Sequence, residues 1–558
     1  MVTILGMGRG KHMESNDVKE KEGNILIDAA LKLIVLWIAC LILKKNWIRD
    51  LFYSTLVTLA AVFCTVSIIV YAGLKIRSVI YAAKTGGRNY KEDRRKYNMS
   101  YHELLDFFGH AEQHSMSKSD FPVGFWKEEE GIMLGDSEGH LVHIPSDAEA
   151  NIFAAGTPGS GKTSGLVIPT CLRYGGSVLA VDIKGDIYNA CGSNRNIRRF
   201  CPDLKDADGN NIALDYSAHF NPFADIKYLN PTEKKLFLAN MALTLIPDQP
   251  GADGNYFTST ARKIFIGITS YLLEKKPDVT FPEVLHAILH HQAPVGMDPD
   301  HFPLTVFQWA EMISRSNVYA AIEQMSSLIG NNEKNVSGAY DALCTALIPF
   351  SNETMDVLLS GDDYCISAET LENGIDVYLQ VSQENLNTYA PLLTMILQTF
   401  LSSFTKRRDT SFGAKNLPIL VLLDEFPQLT FSYNMVNTAL STLRSKSIQC
   451  MLIAQTVAQI SRKYQNDGWR ALLGNCTYQV ILKSNEEMTQ RYFSALIGTK
   501  KDLKISTSGE MMDIPSPRTV SQERVPIFQP EDFGDLGDDL IVYYNGKYIR
   551  AKKIRWYE

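Results

Sequence analysis

Short apolar runs, each closed by polar or turn-forming residues, recur in two parts of this 558-residue chain. Runs of this kind are typical of strands that are buried on both faces of a parallel sheet. Segments with helical periodicity separate several of them, so the pattern predicts an α/β fold. We predict strands at residues 150–155, 177–182, 376–381, 419–423 and 450–454, and a final hairpin of strands at 540–544 and 549–556.

The stretch from residue 230 to residue 372 differs, because its apolar residues recur with the period of a helix. The predicted helices cover residues 236–245, 258–274, 281–290, 303–314, 320–328 and 335–350. We therefore predict an all-α domain at 230–372, inserted between two parts of the sheet domain at 126–229 and 373–558. Residues 504–526 are polar and lack apolar periodicity, which predicts a long loop or linker.

The N-terminal region holds the longest apolar run, residues 51–74, which carries no charge. A bilayer needs about 20 such residues. A second candidate at 25–43 contains Asp28 and Lys32, which lie one helical turn apart and can pair. A cleaved signal peptide is the alternative there, but an A-x-A-like cleavage site is missing. We predict two transmembrane helices within 25–74, after a cytoplasmic tail at 1–24.

Charge predicts the orientation of these helices. Basic residues outnumber acidic ones over 75–96, at the start of a membrane-proximal linker that we place at 75–125. Such an excess marks the cytoplasmic side, so we expect a multi-pass protein of the cell (plasma or inner) membrane with both termini in the cytoplasm. The same residues would suit a nucleic-acid contact, but their place beside a span favours the topological interpretation. The net charge of −7 means that any DNA contact needs a local basic patch.

A phosphate-binding motif follows the first strand of the predicted sheet. It fills every fixed position of the P-loop, G-x-x-x-x-G-K-[ST], and a predicted helix at 164–173 follows it. Glycines let backbone N–H groups turn toward phosphates, the lysine reaches the β and γ oxygens, and the last hydroxyl is a Mg²⁺ ligand. The sequence therefore predicts binding of ATP with Mg²⁺ by Gly156, Thr157, Pro158, Gly159, Ser160, Gly161, Lys162 and Thr163.

Hydrolysis also needs acidic residues, and a strand predicted at 419–423 ends in Asp424 and Glu425. The carboxyl ends of parallel strands share one edge of a sheet, which is where the P-loop also lies. We predict that Asp424 orients the Mg²⁺ and that Glu425 is the general base for the attacking water.

Two further candidates follow from the strand at 450–454. Gln455 directly after it occupies the position where RecA-like motors carry a polar residue that senses the γ-phosphate. Arg444, between a predicted helix at 434–443 and this strand, is the candidate for the arginine that stabilises charge on the γ-phosphoryl group of a neighbouring subunit. Three other arginines stay open for that role, namely Arg262, Arg470 and Arg491.

Further segments of the chain extend the ordered set of motifs. They lie after the P-loop helix (176–186), after the strand at 450–454 (454–460), at Asn475-Cys476 and at the chain end (550–557). With the P-loop and the acidic pair, they make the chain resemble the TraG/TraD-type coupling ATPases of conjugative type IV secretion. The resemblance covers nearly the whole chain. One departure is Asp182-Ile183-Lys184-Gly185-Asp186, where the family usually has Asp-Pro-Lys-Gly-Glu.

The resemblance implies a membrane-anchored homo-hexameric ATPase with a RecA-like nucleotide-binding domain. Its partners would be single-stranded DNA with an attached relaxase, received at the all-α domain, and the components of a type IV secretion channel. By similarity, Lys162, Thr163, Asp424, Glu425 and Gln455 form the nucleotide site, with Asp182 and Lys184 beside it.

Two other functions stay open at this point. One is an ATP-binding receptor that recruits protein substrates to the channel without moving DNA. The other is an FtsK-like DNA translocase, although that class normally has more membrane spans and a C-terminal winged helix. Hydrolysis that DNA stimulates would separate a translocase from a receptor.

Overall fold

A computed structural model describes residues 46–84, 88–97, 130–248, 252–361, 364–507 and 518–557. Its contacts divide the chain into two units, Met1–His114 with Thr499–Val525, and Ser115–Gly498 with Pro526–Glu558. Each unit has its own fold, and the P-loop belongs to the second.

Among its described residues, the first unit contains the helices α1 (Asn46–Lys84) and α2 (Tyr90–Tyr97). They are held together at Asp93, whose carboxylate accepts hydrogen bonds from the Tyr81 hydroxyl at 2.8 Å and from the Arg88 guanidinium at 2.9 Å. Many apolar side chains of α1 are exposed, including Leu59 and Val79.

The two predicted membrane spans have different outcomes. The segment at 25–43 lies outside the described residues, and residues 51–74 fall within the single helix α1. Across the described ranges, the search for a helix with both the length and the apolar character of a membrane span returns none.

The predicted linker at 504–526 is partly wrong. Residues 508–517 lie outside the described part, but their flanks are strands of a two-stranded sheet, β10 (Thr499–Thr507) and β11 (Arg518–Pro526). Backbone pairing holds such a ribbon together without an apolar period, so sequence periodicity missed it. The sequence assigned these residues to the second part of the sheet domain, whereas their contacts group them with the first unit.

The second unit is built on an eleven-stranded sheet. Its strands are β1 (Gly131–Ser137), β2 (His140–Pro145), β3 (Asn151–Ala155), β4 (Ser177–Asp182), β5 (Ile197–Phe200), β6 (Asp376–Gln380), β7 (Ile419–Leu423), β8 (Ile448–Ala454), β9 (Tyr478–Ile481), β12 (Asp539–Tyr544) and β13 (Lys547–Lys552). Their spatial order is β2-β1-β13-β12-β9-β3-β8-β7-β4-β6-β5. The seven strands from β9 to β5 are parallel, and the four at the other edge are antiparallel. The predicted parallel sheet is confirmed, with β8 lying between β3 and β7.

Alternate residues of the central strands pack into two separate apolar cores, one on each face of the sheet. In β3, Phe153 and Ala155 belong to one core, whereas Ile152 and Ala154 belong to the other. All five residues of β3 are buried, and so are all five of β7. Burial on both faces explains why these strands are apolar runs rather than alternating sequences.

Eight further helices connect the strands of this sheet within the described residues. They are α3 (Ile168–Arg173), α4 (Asp186–Cys191), α5 (Ala213–Tyr216), α14 (Leu386–Phe404), α15 (Tyr433–Thr442), α16 (Val457–Lys463), α17 (Gly468–Gly474) and α18 (Glu487–Ile497). A π-helical turn, Thr163–Val167, precedes α3, so the helix predicted at 164–173 has two parts.

The stretch between β5 and β6 is helical, as the sequence predicts. Its helices are α6 (Pro231–Leu245), α7 (Ala252–Lys275), α8 (Phe281–Leu289), α9 (Val306–Ser314), α10 (Tyr319–Met325), α11 (Glu333–Leu347), α12 (Glu353–Leu358) and α13 (Ala368–Glu372). Capping boxes at Asn230, Thr280 and Thr305 define where α6, α8 and α9 begin, because they pair backbone N–H groups that have no partner within the helix. Trp309 is fully buried in their shared core. Among the described helices from residue 230 to residue 372, the two shortest, α12 and α13, were not predicted.

Candidate functional site

The phosphate-binding loop leaves the carboxyl end of β3 and is tied to the strands on either side. The Gly156 N–H donates to the carbonyl of Ala454 at 3.3 Å, and the Thr157 N–H donates to that of Lys483 at 3.0 Å. Gly159 and Gly161 have φ values of 75° and 84°, which a side chain would strain. A Cβ on Gly156 would lie 2.6 Å from the Ser160 hydroxyl, so this position also needs glycine.

The inner surface of the loop is a set of unused hydrogen-bond donors. Within the part of the chain that the structure describes, the backbone N–H groups of Gly159, Gly161, Lys162 and Thr163 donate to no protein acceptor. The buried hydroxyl of Ser160 likewise has no partner there. Converging unpaired donors at a loop of this shape form an anion site.

Lys162 is buried at 9 % exposure and turns back onto its own loop. Its ammonium donates to the carbonyls of Gly156 at 2.5 Å and Thr157 at 3.2 Å. Burial lowers the pKa of Lys162, while the nearby Glu425 and Asp424 carboxylates act to raise it. The charge is therefore poorly solvated and suited to pair with phosphate oxygens.

The acidic pair lies at the carboxyl end of β7, as predicted. Burial, and then the neighbouring Glu425 carboxylate, raise the pKa of Asp424 to about 6. Glu425 has a φ of 53°, an unusual left-handed conformation for a non-glycine residue, and turns the chain sharply into the segment Phe426–Gln428. Strained backbone of this kind is concentrated at functional sites.

Gln455 joins the acidic pair through its side chain. It follows β8, and its Nε2 donates to Glu425 Oε1 at 2.8 Å. Its own backbone N–H donates to the side chain of Gln459, within the capping arrangement that starts α16. The structure therefore brings Lys162, Asp424, Glu425 and Gln455 together at one edge of the sheet.

Asp182 lies near the site, because its charge contributes to raising the pKa of Asp424 after burial and the Glu425 carboxylate. It is 2 % exposed, and its Oδ2 accepts a hydrogen bond from the Tyr188 N–H at 2.8 Å, in the first turn of α4. Burial raises the pKa of Asp182. We interpret its side chain as fixing the turn after β4, while Lys184 in that turn is exposed.

Arg444 lies at the amino ends of the parallel strands, whereas the P-loop lies at their carboxyl ends. It precedes β8, whereas Gln455 follows it, and seven strand residues span about 20 Å. It cannot serve the site of its own chain. The other three arginines are paired with carboxylates in the same chain, in Arg262–Asp248, Arg470–Asp467 and Arg491–Glu487.

The residues present fit a nucleoside triphosphate with Mg²⁺. The unpaired N–H groups and Lys162 suit phosphates, and a bound cation would stabilise the Asp424 carboxylate, whose pKa burial and the Glu425 charge raise. Within the described ranges, no cluster of three or more His, Cys, Asp or Glu side chains is placed to hold a metal. A P-loop ion does not require one, because the Thr163 hydroxyl and Asp424 would complete its ligands together with phosphate oxygens.

Three side chains around the site were missed by the sequence analysis. Gln428 donates to Glu425 Oε2 at 3.3 Å, Lys463 donates to the carbonyl of Pro427 at 3.2 Å, and Lys553 donates to the carbonyl of Ser160 at 2.9 Å. Local pattern gives no signal for Lys553, because its partner is distant in the chain. The only hint was the resemblance of the segment at 550–557 to the family's closing motif.

This fold and site define a RecA-like α/β nucleotide-binding protein of the P-loop class. A family model described as "Type IV secretory system Conjugative DNA transfer" matches residues 112–558, so the chain belongs to that family. The expected resemblance is confirmed.

Individual relatives agree. The chain is 25% identical over 412 residues to Protein VirD4 of Rhizobium rhizogenes, covering 71% of this chain and 57% of that protein. It is 21% identical over 433 residues to Conjugal transfer protein TraG of Escherichia coli, covering 72% and 64%. The chain thus spans under two thirds of the length of these relatives.

Solved structures of the plasmid coupling protein TrwB share the fold. The complex with the ATP analogue ADPNP has a TM-score of 0.56 at 15% identity and covers 79% of this chain and 93% of TrwB. The complex with ADP and Mg²⁺ has a TM-score of 0.56 at 14% identity, with the same coverage.

Proposed function

We propose that this chain is a membrane-tethered coupling ATPase that drives DNA transfer through a type IV secretion channel. The observation that carries the proposal is the hydrogen bond from Gln455 to Glu425, beside Lys162 and Asp424 at the mouth of the P-loop. This is the arrangement of a hydrolytic site rather than of a simple phosphate-binding loop. Membership of the conjugative DNA transfer family supports the proposal that this hydrolysis drives DNA transfer.

Each residue has a chemical task in this proposal. The free N–H groups of the loop and the Lys162 ammonium bind the β and γ phosphates of ATP. Glu425 accepts a proton from the attacking water, and Gln455 holds that carboxylate in position. Mg²⁺, when bound through Thr163 and Asp424, supplies positive charge against the phosphates. The TrwB complexes with ADPNP and with ADP and Mg²⁺ support the same pair of ligands here.

The partners follow from the family and the resemblance. We propose that the substrate is single-stranded DNA with its attached relaxase, that the helical stretch between β5 and β6 receives it, and that the channel accepts it. A homo-hexamer would let Arg444 of one copy act on the site of the next. Mixing Lys162→Ala with Arg444→Ala chains tests this, because mixed rings would recover turnover that neither variant has alone. Mixtures as inactive as the separate variants would reject the role of Arg444.

A membrane tether through residues 25–74 is part of the proposal and rests on the apolar sequence. Its test is fractionation of cells that express the chain, followed by an alkaline wash of the membranes. A deletion of residues 25–74 is the control. Protein that the wash removes would reject the tether but leave the ATPase proposal intact.

Turnover of ATP by the complete chain, with and without single-stranded DNA, tests the central proposal. We expect DNA to stimulate hydrolysis and Lys162→Ala to abolish it. Nucleotide binding without turnover under any DNA condition would instead favour an ATP-binding receptor for protein substrates.

A further inference from the structure

The C-terminal segment after β13 leaves the sheet and lies against the phosphate-binding loop. The strand predicted at 549–556 stops at Lys552, and from there the chain crosses to the first turn after the loop. The Trp556 N–H donates to the carbonyl of Ser164 at 3.3 Å. The segment is also braced to the turn before β12, through Arg555 to Asp538 at 2.5 Å.

Lys553 makes the closest contact between this segment and the loop. Its ammonium donates to the carbonyl of Ser160 at 2.9 Å and to that of Gly537 at 2.6 Å. Its methylene stem packs on two glycines of the loop and its first turn. A Cβ on Gly161 would lie 3.4 Å from Lys553 Cδ, and one on Gly165 would lie 3.0 Å from Lys553 Cβ.

The bond to the Ser160 carbonyl fixes the plane of one peptide group. In a trans peptide the C=O and the following N–H point in opposite directions. With the Ser160 carbonyl held by Lys553, the Gly161 N–H is directed away from Lys553, and it is one of the loop donors without an acceptor in the described part of the chain. Gly161 has a φ of 84°, so its conformation is open to other rotations unless something holds it.

We infer that Lys553 is a positioning residue for nucleotide binding, which acts by holding the 160–161 peptide with its N–H presented to the phosphates. This inference rests on the proposed function, because it assumes that the loop binds a nucleoside triphosphate. Burial lowers the pKa of Lys553, while the Asp538 carboxylate acts to raise it. The C-terminal segment thereby becomes part of the nucleotide site.

The test is the affinity of the complete chain for a fluorescent ADP analogue, together with KM and kcat for ATP. Lys553→Met keeps the stem on Gly161 and Gly165 but removes the ammonium. We expect its Kd and KM to rise about tenfold with kcat within about twofold, because the loop binds phosphates equally in the ground and transition states. Lys553→Arg, which keeps the charge and donors, should recover most of the affinity.

Two further variants distinguish a positioning role of Lys553 from a general effect of how the C-terminal segment is held in place. Lys552→Met changes the exposed neighbour and should bind nucleotide like the wild type. Arg555→Ala breaks the pair with Asp538 but leaves the Lys553 ammonium, so its affinity should also stay close to wild type. If Lys553→Met binds as tightly as the wild type, or if Arg555→Ala weakens binding as much, the inference is wrong. A wild-type chain that binds no nucleotide would instead reject the proposed function itself.

Discussion

Gln455 Nε2 lies 2.8 Å from Glu425 Oε1, and this hydrogen bond links the residues that follow two paired strands, β7 and β8. Strand β8 runs between the P-loop strand β3 and the acidic strand β7, so Gln455, which follows it, lies between the turns that leave those two strands. We propose that a residue in this place responds to the γ-phosphate and transmits its state to the helix α16, which begins two residues later. The hydrogen bond therefore links the proposed site of ATP hydrolysis to helix α16.

Gln455→Ala should lower kcat for ATP about 100-fold with little change in KM. The reason is that the amide holds the general base in place for the transition state, and loss of one such preorganised group typically costs a factor of about 100 or more. Steady-state turnover measures both constants. Gln465→Ala, which truncates an exposed glutamine, is the matched control and should keep kcat close to the wild-type value. A Gln455→Ala chain that alters KM alone would contradict this role.

Gly156→Ala should weaken nucleotide binding at least about tenfold. The added methyl would meet the Ser160 hydroxyl at 2.6 Å and Leu482 Cβ at 2.9 Å, so the loop must shift. Gly209→Ala serves as the control, because it has a φ of 88° with nothing near its Cβ position. That variant should lose about 1 kcal/mol of stability to backbone strain but keep its affinity. Titration with a fluorescent nucleotide and thermal melting measure the two effects.

Lys162→Ala should abolish the rise in melting temperature that ATP with Mg²⁺ produces. A ligand present at 100 times its Kd stabilises a protein by about 2.7 kcal/mol, which a melting curve resolves. Without nucleotide, the variant should melt no lower than the wild type, because burial disfavours the charged ammonium in the empty loop. Lys334→Ala on α11 removes an exposed lysine and should keep the full shift. An unchanged shift in Lys162→Ala would argue against the P-loop as the site.

Sequence alone predicted the parts of the fold and site that depend on local order. The motif at 156–163 and the acids after β7 are each contained in one strand and its following turn. The apolar runs of β3, β7 and β8 indicated burial on both faces and therefore a parallel sheet. Because the carboxyl ends of parallel strands lie together, the grouping of Lys162, Asp424, Glu425 and Gln455 could be expected.

What the sequence missed depends on contacts between distant segments. The hydrogen bond that Asp182 accepts from the Tyr188 N–H could not be predicted from the sequence, while its place beside the nucleotide stays a prediction. The contact of Lys463 with the Pro427 carbonyl joins α16 to the turn after β7. The contact of Lys553 with Ser160 requires β13 to be placed in the sheet first. Periodicity carries no information on any of these.

Lys463 should make the free energy of unfolding depend on pH in the alkaline range. Its ammonium lies against the Pro427 carbonyl and the rings of Phe426 and Tyr464, and burial lowers its pKa to about 8. An unfolded lysine titrates near 10.4, so between about pH 8 and 10.4 the unfolded chain binds more protons than the folded one. The contribution of Lys463 to the free energy of unfolding should therefore increase as the pH rises through that window.

Lys463→Met removes the cost of burying this charge. At pH 7 the variant should be more stable than the wild type by about 1 kcal/mol, after allowance for solvent screening of a half-buried group. The difference should shrink as the pH approaches 10, because the wild-type lysine is then neutral in the folded state. Thermal melting of both chains from pH 7 to pH 10 measures this, with Lys406→Met at an exposed position as the control. A difference that is constant across that range would mean that Lys463 stays charged when folded, and that its bond to Pro427 outweighs the cost of burial.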